Sequence, residues 1–200
     1  MVHAYHCIMS FYGFWLPNDP RGSWSTWIRQ WELLRFGSAT KVETTQSVAR
    51  KPHDWQRRQS AKEQLKYPPV MLTGVLAREV GKGFELAISQ GKYSCYACSI
   101  LPEHVHLVMG RHLRKIEIQL SHLQANATRR LNTLRLNPLL PFKNEDGCVP
   151  RPWSRGEWAV YLNTSADVQR AIKYVENNPL KEGKRRQHWA FVRSYAPDMV

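Results

Sequence analysis

The sequence predicts an α+β protein of the ferredoxin-like kind, a split β-α-β arrangement with a central antiparallel sheet and one further helix at its C-terminal end. Three observations predict it. Four short segments alternate apolar and polar residues as strands do, two long segments between them repeat apolar residues at helical spacing, and a third helical segment follows the last strand. With 200 residues the chain has room for one domain spanning 1–200, carrying an insertion at about 24–66.

The first strand is "VHAYHCIMSF" (2–11). It runs into "YGFWLPNDPRGSW" (12–24), where Pro17, Asn18, Pro20 and Gly22 mark a turn-rich loop. From Trp24 to Leu34, the residues Trp24, Trp27, Ile28, Trp31 and Leu34 keep helical spacing and predict a helix. The charged stretch from 37 to 66 reads as an insertion that packs on the domain without a core of its own. After Pro68-Pro69 a helix is expected to about Gln90, weakened by Gly74, Gly81 and Gly83. Two strands follow, "YSCYACSIL" and "HVHLVMG", joined by a short turn. Ile116, Leu120, Leu123, Ala127, Leu131 and Leu134 then give a strong amphipathic helix. "EWAVYL" is the last strand, and "TSADVQRAIKYVENN" the last helix. That helix opens at Thr164 with Asp167 three residues on, and is expected to stop at Asn177-Asn178-Pro179.

Charge narrows the function classes. Lys and Arg number 29 against 16 Asp and Glu, a net charge of +13 that favours an extended polyanion as partner. Eight Trp and eight Tyr add to a nucleic-acid reading, since aromatic faces stack on unpaired bases. No apolar run approaches the length of a membrane span, and the first residues lack the features of a signal peptide, so a soluble intracellular, cytoplasmic protein without membrane contact is expected. The four cysteines fit reduced thiols. Cys95 and Cys98 lie three apart in an alternating strand, which sends them to opposite faces as buried thiols.

The unusual feature is "LPEHVHLVMG" (101–110). Alternation puts Val105, Leu107 and Met109 on one face and His104, His106 and Val108 on the other. Two imidazoles side by side either hydrogen-bond separately or chelate a cation. In the ferredoxin-like arrangement the two internal helices take the Val105 face, so only the C-terminal helix is left to cover the histidines. Its apolar stripe is Val168, Ala171, Ile172 and Val175. At about 100° per residue, Tyr174 and Asn178 lie on one edge of that stripe, one turn apart.

These residues resemble a known family. "PEHVHLVM", then Trp153, then "YLNTSADVQRAIKYVENNPLKEG" resembles the HUH single-tyrosine transposases, in particular the REP-associated tyrosine transposase branch. The matching positions are His104, Val105 and His106, then Tyr174, Val175, Asn178, Pro179, Lys181 and Gly183. "YGFWLPNDPRGS" resembles the start of a longer subgroup, and the likeness is weakest over 24–66. The order of the motifs differs from that of the relaxases, whose tyrosine precedes the histidines.

The resemblance implies that His104, His106 and Asn178 hold a divalent metal ion, Mg or Mn, and that Tyr174 is the catalytic nucleophile. Tyrosine attack on a phosphodiester of single-stranded DNA would leave a 5′-phosphotyrosine and a free 3′-hydroxyl. The implied partner is single-stranded or hairpin DNA, with monomer and homodimer both open. Clustering nominates Arg129, Arg130, Lys184, Arg185 and Arg186 as DNA contacts. Two other readings stand beside this one, a non-catalytic single-strand binder and a metal-dependent nuclease that uses water.

Overall fold

A computed structural model describes residues 1–44, 48–156 and 158–196. Glu157, where the sequence starts the last strand, lies outside the described residues, as do positions 45–47 of the insertion. The chain divides into two compact units, Met1–Phe11 with Met71–Val200, and Tyr12–Val70.

The first unit is built on four strands, β1 (Ala4–Ser10), β2 (Cys95–Ile100), β3 (His104–Gly110) and β4 (Trp158–Leu162), in the order β2-β3-β1-β4 with every neighbouring pair antiparallel. Helix α2 (Gly74–Gly91) precedes β2, α3 (Ile116–Thr133) connects β3 to β4, and α4 (Ser165–Lys181) follows β4. This is the α+β, ferredoxin-like order that the sequence predicts. The two histidine-bearing positions fall on β3, an interior strand, which the sheet holds from both sides.

Helices α2 and α3 pack on each other and cover one sheet face, where Cys7, Met9, Val105, Leu107 and Met109 are wholly buried. The glycines of α2 are the reason the two helices fit. A Cβ at Gly83 would stand 2.5 Å from the Cα of Ala127 in α3, closer than any side chain tolerates. At Gly81 the indole of Trp189 occupies that place. Residues that weaken the helix by propensity are here the ones that let its neighbours approach.

The other face of the sheet carries α4, whose Val168, Ala171 and Val175 bury against Ala4, Ala97, Val108 and Leu162. Thr164 caps it as expected, its hydroxyl accepting from Asp167 N–H while the Asp167 carboxylate accepts from Thr164 N–H at 3.1 Å. The outer edge of β2 is shielded by the segment after α4. Gln187 donates to and accepts from the Ile100 backbone at 2.8 Å, and Arg193 N–H donates to the Cys95 carbonyl. An edge so covered cannot template another strand.

Two expectations are corrected in this unit. Cys95 and Cys98 do not take opposite faces, because a bulge at Tyr96 puts two residues opposite one and restores both thiols to the face of Met109 and Leu107. Burial pushes the Cys95 thiol up to about 12 and Cys98 well above its ordinary value, so both are inert. The last helix does not stop before Pro179; α4 runs through it to Lys181. Proline forfeits one backbone bond this close to the end, and Glu182, Gly183 and Lys184 N–H groups close the last turn on Pro179 and Leu180 carbonyls. Gly183 takes the left-handed φ of 67° that this ending requires.

The second unit contains a short 3-10 helix, Trp31–Phe36, and α1 (Trp55–Glu63), capped by Asp54 accepting from Arg57 N–H. Its core is Leu16, Ile28, Leu33 and Ala61, with Phe36, Ala39 and Leu65 packed against them. The helix expected from Trp24 to Leu34 is absent. Ile28 and Leu33 are buried, but Trp24, Trp27, Trp31 and Leu34 are exposed. Local polar groups win over helical spacing here: the Ser25 hydroxyl accepts from Trp27 N–H and donates to the Trp27 carbonyl, and Ser23 pairs its backbone with Thr40 and Val42. Asp19 is buried and holds Arg21 at 2.8 Å and Arg58 at 3.5 Å, while the Asn18 amide donates to the Leu33 carbonyl.

Candidate active site

Strand register assembles the site. Pairing of β1 with β3 sets Ser10 opposite His104, Ile8 opposite His106 and His6 opposite Val108. Directly paired residues share a face, so His6, His104 and His106 all point toward α4. The His6 and His106 rings stack with centroids 5.3 Å apart, and His6 Nε2 lies 3.1 Å from His106 Nδ1. His104 meets His106 edge-on at 4.9 Å. Sequence reading identifies His104 and His106 but misses His6. Its parity within β1 is visible in the sequence, yet only the register between strands reveals that it lies diagonal to His106.

Tyr174 of α4 completes the aromatic cluster. Its ring contacts His106 edge-on at 5.6 Å and His6 at 5.5 Å, and it remains 37% exposed, accessible to a strand from solvent. Lys181, two turns further on, lays its ammonium 3.9 Å from the Tyr174 ring centroid. The extension of α4 past Pro179 is what brings that cation into place. Asn178, one turn from Tyr174, is buried, and its Nδ2 has no hydrogen-bond partner.

The imidazoles are neutral at physiological pH. Burial pulls His6 and His104 down to about 4, and burial with the neighbouring His104, His6 and Lys181 charges pulls His106 well below its ordinary value. Neutral rings offer lone pairs. When His106 donates its Nδ1–H to His6 Nε2, the lone pair of His106 Nε2 is left for a ligand.

Among the described residues no group of three or more His, Cys, Asp or Glu side chains converges to hold a cation. Two imidazoles and an amide are a different donor set, and they suit a divalent ion in two respects. Both rings are uncharged, and turning the Asn178 amide by 180° would put its oxygen at the unpartnered buried position. The set carries no negative charge of its own.

The basic residues nominated from the sequence do not form one patch. Lys184, Arg185 and Arg186 follow α4 on the Tyr174 side of the sheet, with Arg186 donating to Asn177 and Lys184 3.5 Å from Glu182. Arg129 and Arg130 sit on α3, across the sheet from the histidines. Arg130 is bound at 2.6 Å to the buried Glu79, and Arg129 donates to Asn126.

No family model and no curated protein matches the chain. Among solved structures, the chain is similar to a REP-associated tyrosine transposase bound to a REP hairpin, at 10% identity and a TM-score of 0.47, over 90% of this chain and 68% of that one. It is also similar to a protein of Deinococcus radiodurans R1 assigned as a transposase, at 11% identity and a TM-score of 0.45, over 94% of each chain. Similarity this remote bears on the chain trace alone. What the site does must come from its own chemistry. No helix among the described residues is long and apolar enough to cross a membrane.

Proposed function

We propose that the chain nicks and rejoins single-stranded DNA by tyrosine attack, as an HUH single-tyrosine transposase does. The observation that supports this reading best is the meeting of an accessible phenol with two neutral histidines across a helix-on-sheet contact, Tyr174 against buried His106 and half-buried His6. In this reading Tyr174 Oη forms a bond to phosphorus while the bond from phosphorus to the 3′ oxygen breaks. The phenol proton leaves, and the departing 3′ oxygen gains one to become a hydroxyl. The phosphotyrosine conserves the energy of the broken bond, so a 3′-hydroxyl can reverse the step and join strands without a nucleotide cofactor.

His104, His106 and Asn178 would hold a divalent ion, Mg or Mn, which when bound supplies Lewis acidity toward a non-bridging phosphate oxygen. Nitrogen donors suit Mn at least as well as Mg. Lys181 draws the phosphate toward the phenol, and Lys184, Arg185 and Arg186 extend that positive surface along the strand. Arg129 and Arg130 would meet a more distant stretch of DNA. An intracellular setting and a hairpin-forming single strand as substrate follow from the same reading.

The test is direct. Full-length protein incubated with an end-labelled single-stranded hairpin and Mn²⁺ should yield a covalent protein-DNA adduct that resists denaturation. Tyr174→Phe keeps the ring against the histidines but removes the attacking oxygen, so the adduct and cleavage should both vanish while DNA affinity stays within about twofold. Cleavage that survives Tyr174→Phe, with no adduct in the parent, would overturn the tyrosine mechanism in favour of attack by water.

A further inference from the structure

The second unit places its tryptophans outside its own core. Trp27 is 68% exposed, Trp31 75%, Trp55 59% and Trp24 46%, whereas Leu16, Ile28, Leu33 and Ala61 are all nearly inaccessible. Trp15 shows what a structural tryptophan looks like in this unit, with its indole N–H donating to the Gly22 carbonyl and the Arg21 guanidinium 3.8 Å over its ring. Trp27 and Trp31 leave large flat apolar surfaces in water, at a hydrophobic cost that a small unit does not normally bear.

Their backbone is held firmly. The Ser25 hydroxyl bridges both backbone groups of Trp27, Ser23 Oγ donates to the Pro17 carbonyl, and Asn18 ties the 3-10 helix that begins at Trp31 to the buried Asp19 loop through the Leu33 carbonyl. Exposed rings on an anchored backbone lose little freedom when a ligand arrives. The surroundings fix the sign of that ligand. Arg29 and Arg35 are exposed within four residues of these rings, and residues 12–70 hold ten Lys and Arg against five Asp and Glu.

We infer that the segment from Trp24 to Arg35 is a second binding surface, on which unpaired bases of single-stranded nucleic acid stack against Trp27 and Trp31 while Arg29 and Arg35 meet the phosphates. Flat rings interleaved with cations match a polyanion whose bases show their faces, and only an unpaired strand does so. The surface stands independently of the chemistry at Tyr174.

The experiment uses the full chain with a twenty-nucleotide oligothymidylate and, as the comparison, a duplex of equal length. Binding is followed by anisotropy of a label on the DNA and by quenching of tryptophan emission. The single strand should quench emission and bind more tightly than the duplex. Trp27→Ala with Trp31→Ala should remove much of the quenching and weaken binding at least about fivefold per ring, the low end for a stacked base. Trp27→Phe with Trp31→Phe should restore most of the affinity, which separates stacking from a folding defect. Unchanged affinity in the double alanine variant, or equal binding of duplex, would overturn the inference. So would concentration-dependent self-association that the double alanine variant abolishes while DNA affinity holds, because the surface would then serve a second copy of the chain. Tyr174→Phe should quench normally, so a missing adduct with intact quenching counts only against the tyrosine mechanism.

Discussion

His6 is the residue whose role depends most on its surroundings. An imidazole packed against another imidazole, 3.1 Å from nitrogen to nitrogen, couples the tautomers of the two rings, because whichever nitrogen donates obliges the other to accept. If His106 presents Nε2 to an ion, His6 is the group that holds it in that tautomer and orientation. His6→Ala should therefore lower Mn²⁺ affinity by about tenfold or more, the usual effect of losing a partner behind a ligand. His6→Asn, which keeps a hydrogen-bonding group in β1, should recover part of it. Titration calorimetry with Mn²⁺ checks both, and unchanged affinity in His6→Ala would remove His6 from the site. His104 and His106 were legible because a strand's period of two is written in consecutive residues. His6 was not, because its position beside His106 depends on a pairing between segments a hundred residues apart.

At the scale of elements, α2 shows how far propensity can mislead. Its glycines argue against a helix when read singly, yet the contact of Gly83 with the Ala127 backbone makes glycine a requirement of the packing. Gly83→Ala should lower stability by about 1–3 kcal/mol through overpacking, despite the roughly 1 kcal/mol that alanine's helix propensity offers. Gly74→Ala should have the opposite sign, raising stability by a few tenths of a kcal/mol to about 1 kcal/mol, because nothing lies within 4 Å of its added methyl. Urea midpoints of the two variants would test this pair, and destabilisation by both would refute the packing account. Strands and long amphipathic helices were legible from periodicity. The reach of α4 through Pro179 was not, because proline reads as a stop signal, whereas here it forfeits one intrahelical bond and the helix continues to Lys181. The Trp24–Leu34 segment failed for another reason: its helical spacing was real, but serine hydroxyls claimed the backbone groups that a helix would have used.

For the whole molecule, three neutral histidines, His106 buried and His6 and His104 half-buried, couple the site to stability. Burial pulls His6 and His104 down to about 4 in the folded chain from near 6.5 in the unfolded chain, and holds His106 well below 6.5 as well. Between those values the unfolded state binds the extra protons, so stability is full above pH 6.5 and falls as pH drops toward 4. Each histidine should contribute a slope of about 1.4 kcal/mol per pH unit in that window, measurable by denaturation from pH 7 to 4.5. A flat profile would mean that the rings are not buried as described.

If His104, His106 and Asn178 hold the proposed ion, the same neutrality couples its binding to that of DNA. Two imidazoles and an amide give a divalent ion no charge compensation, and Lys181 beside them adds a positive charge. A phosphate of the strand supplies the missing negative charge, so each ligand should strengthen the binding of the other. Thermodynamic linkage makes the two enhancements equal. Tyr174→Phe allows the measurement without strand cutting. Mn²⁺ affinity, read from the loss of the free-ion paramagnetic resonance signal, should rise about tenfold or more when a saturating single strand is present, and strand affinity should rise by the same factor with saturating Mn²⁺. A cation held by buried carboxylates would bind tightly with or without DNA. Equal Mn²⁺ affinity in the two conditions would therefore place the ion elsewhere than at His104, His106 and Asn178.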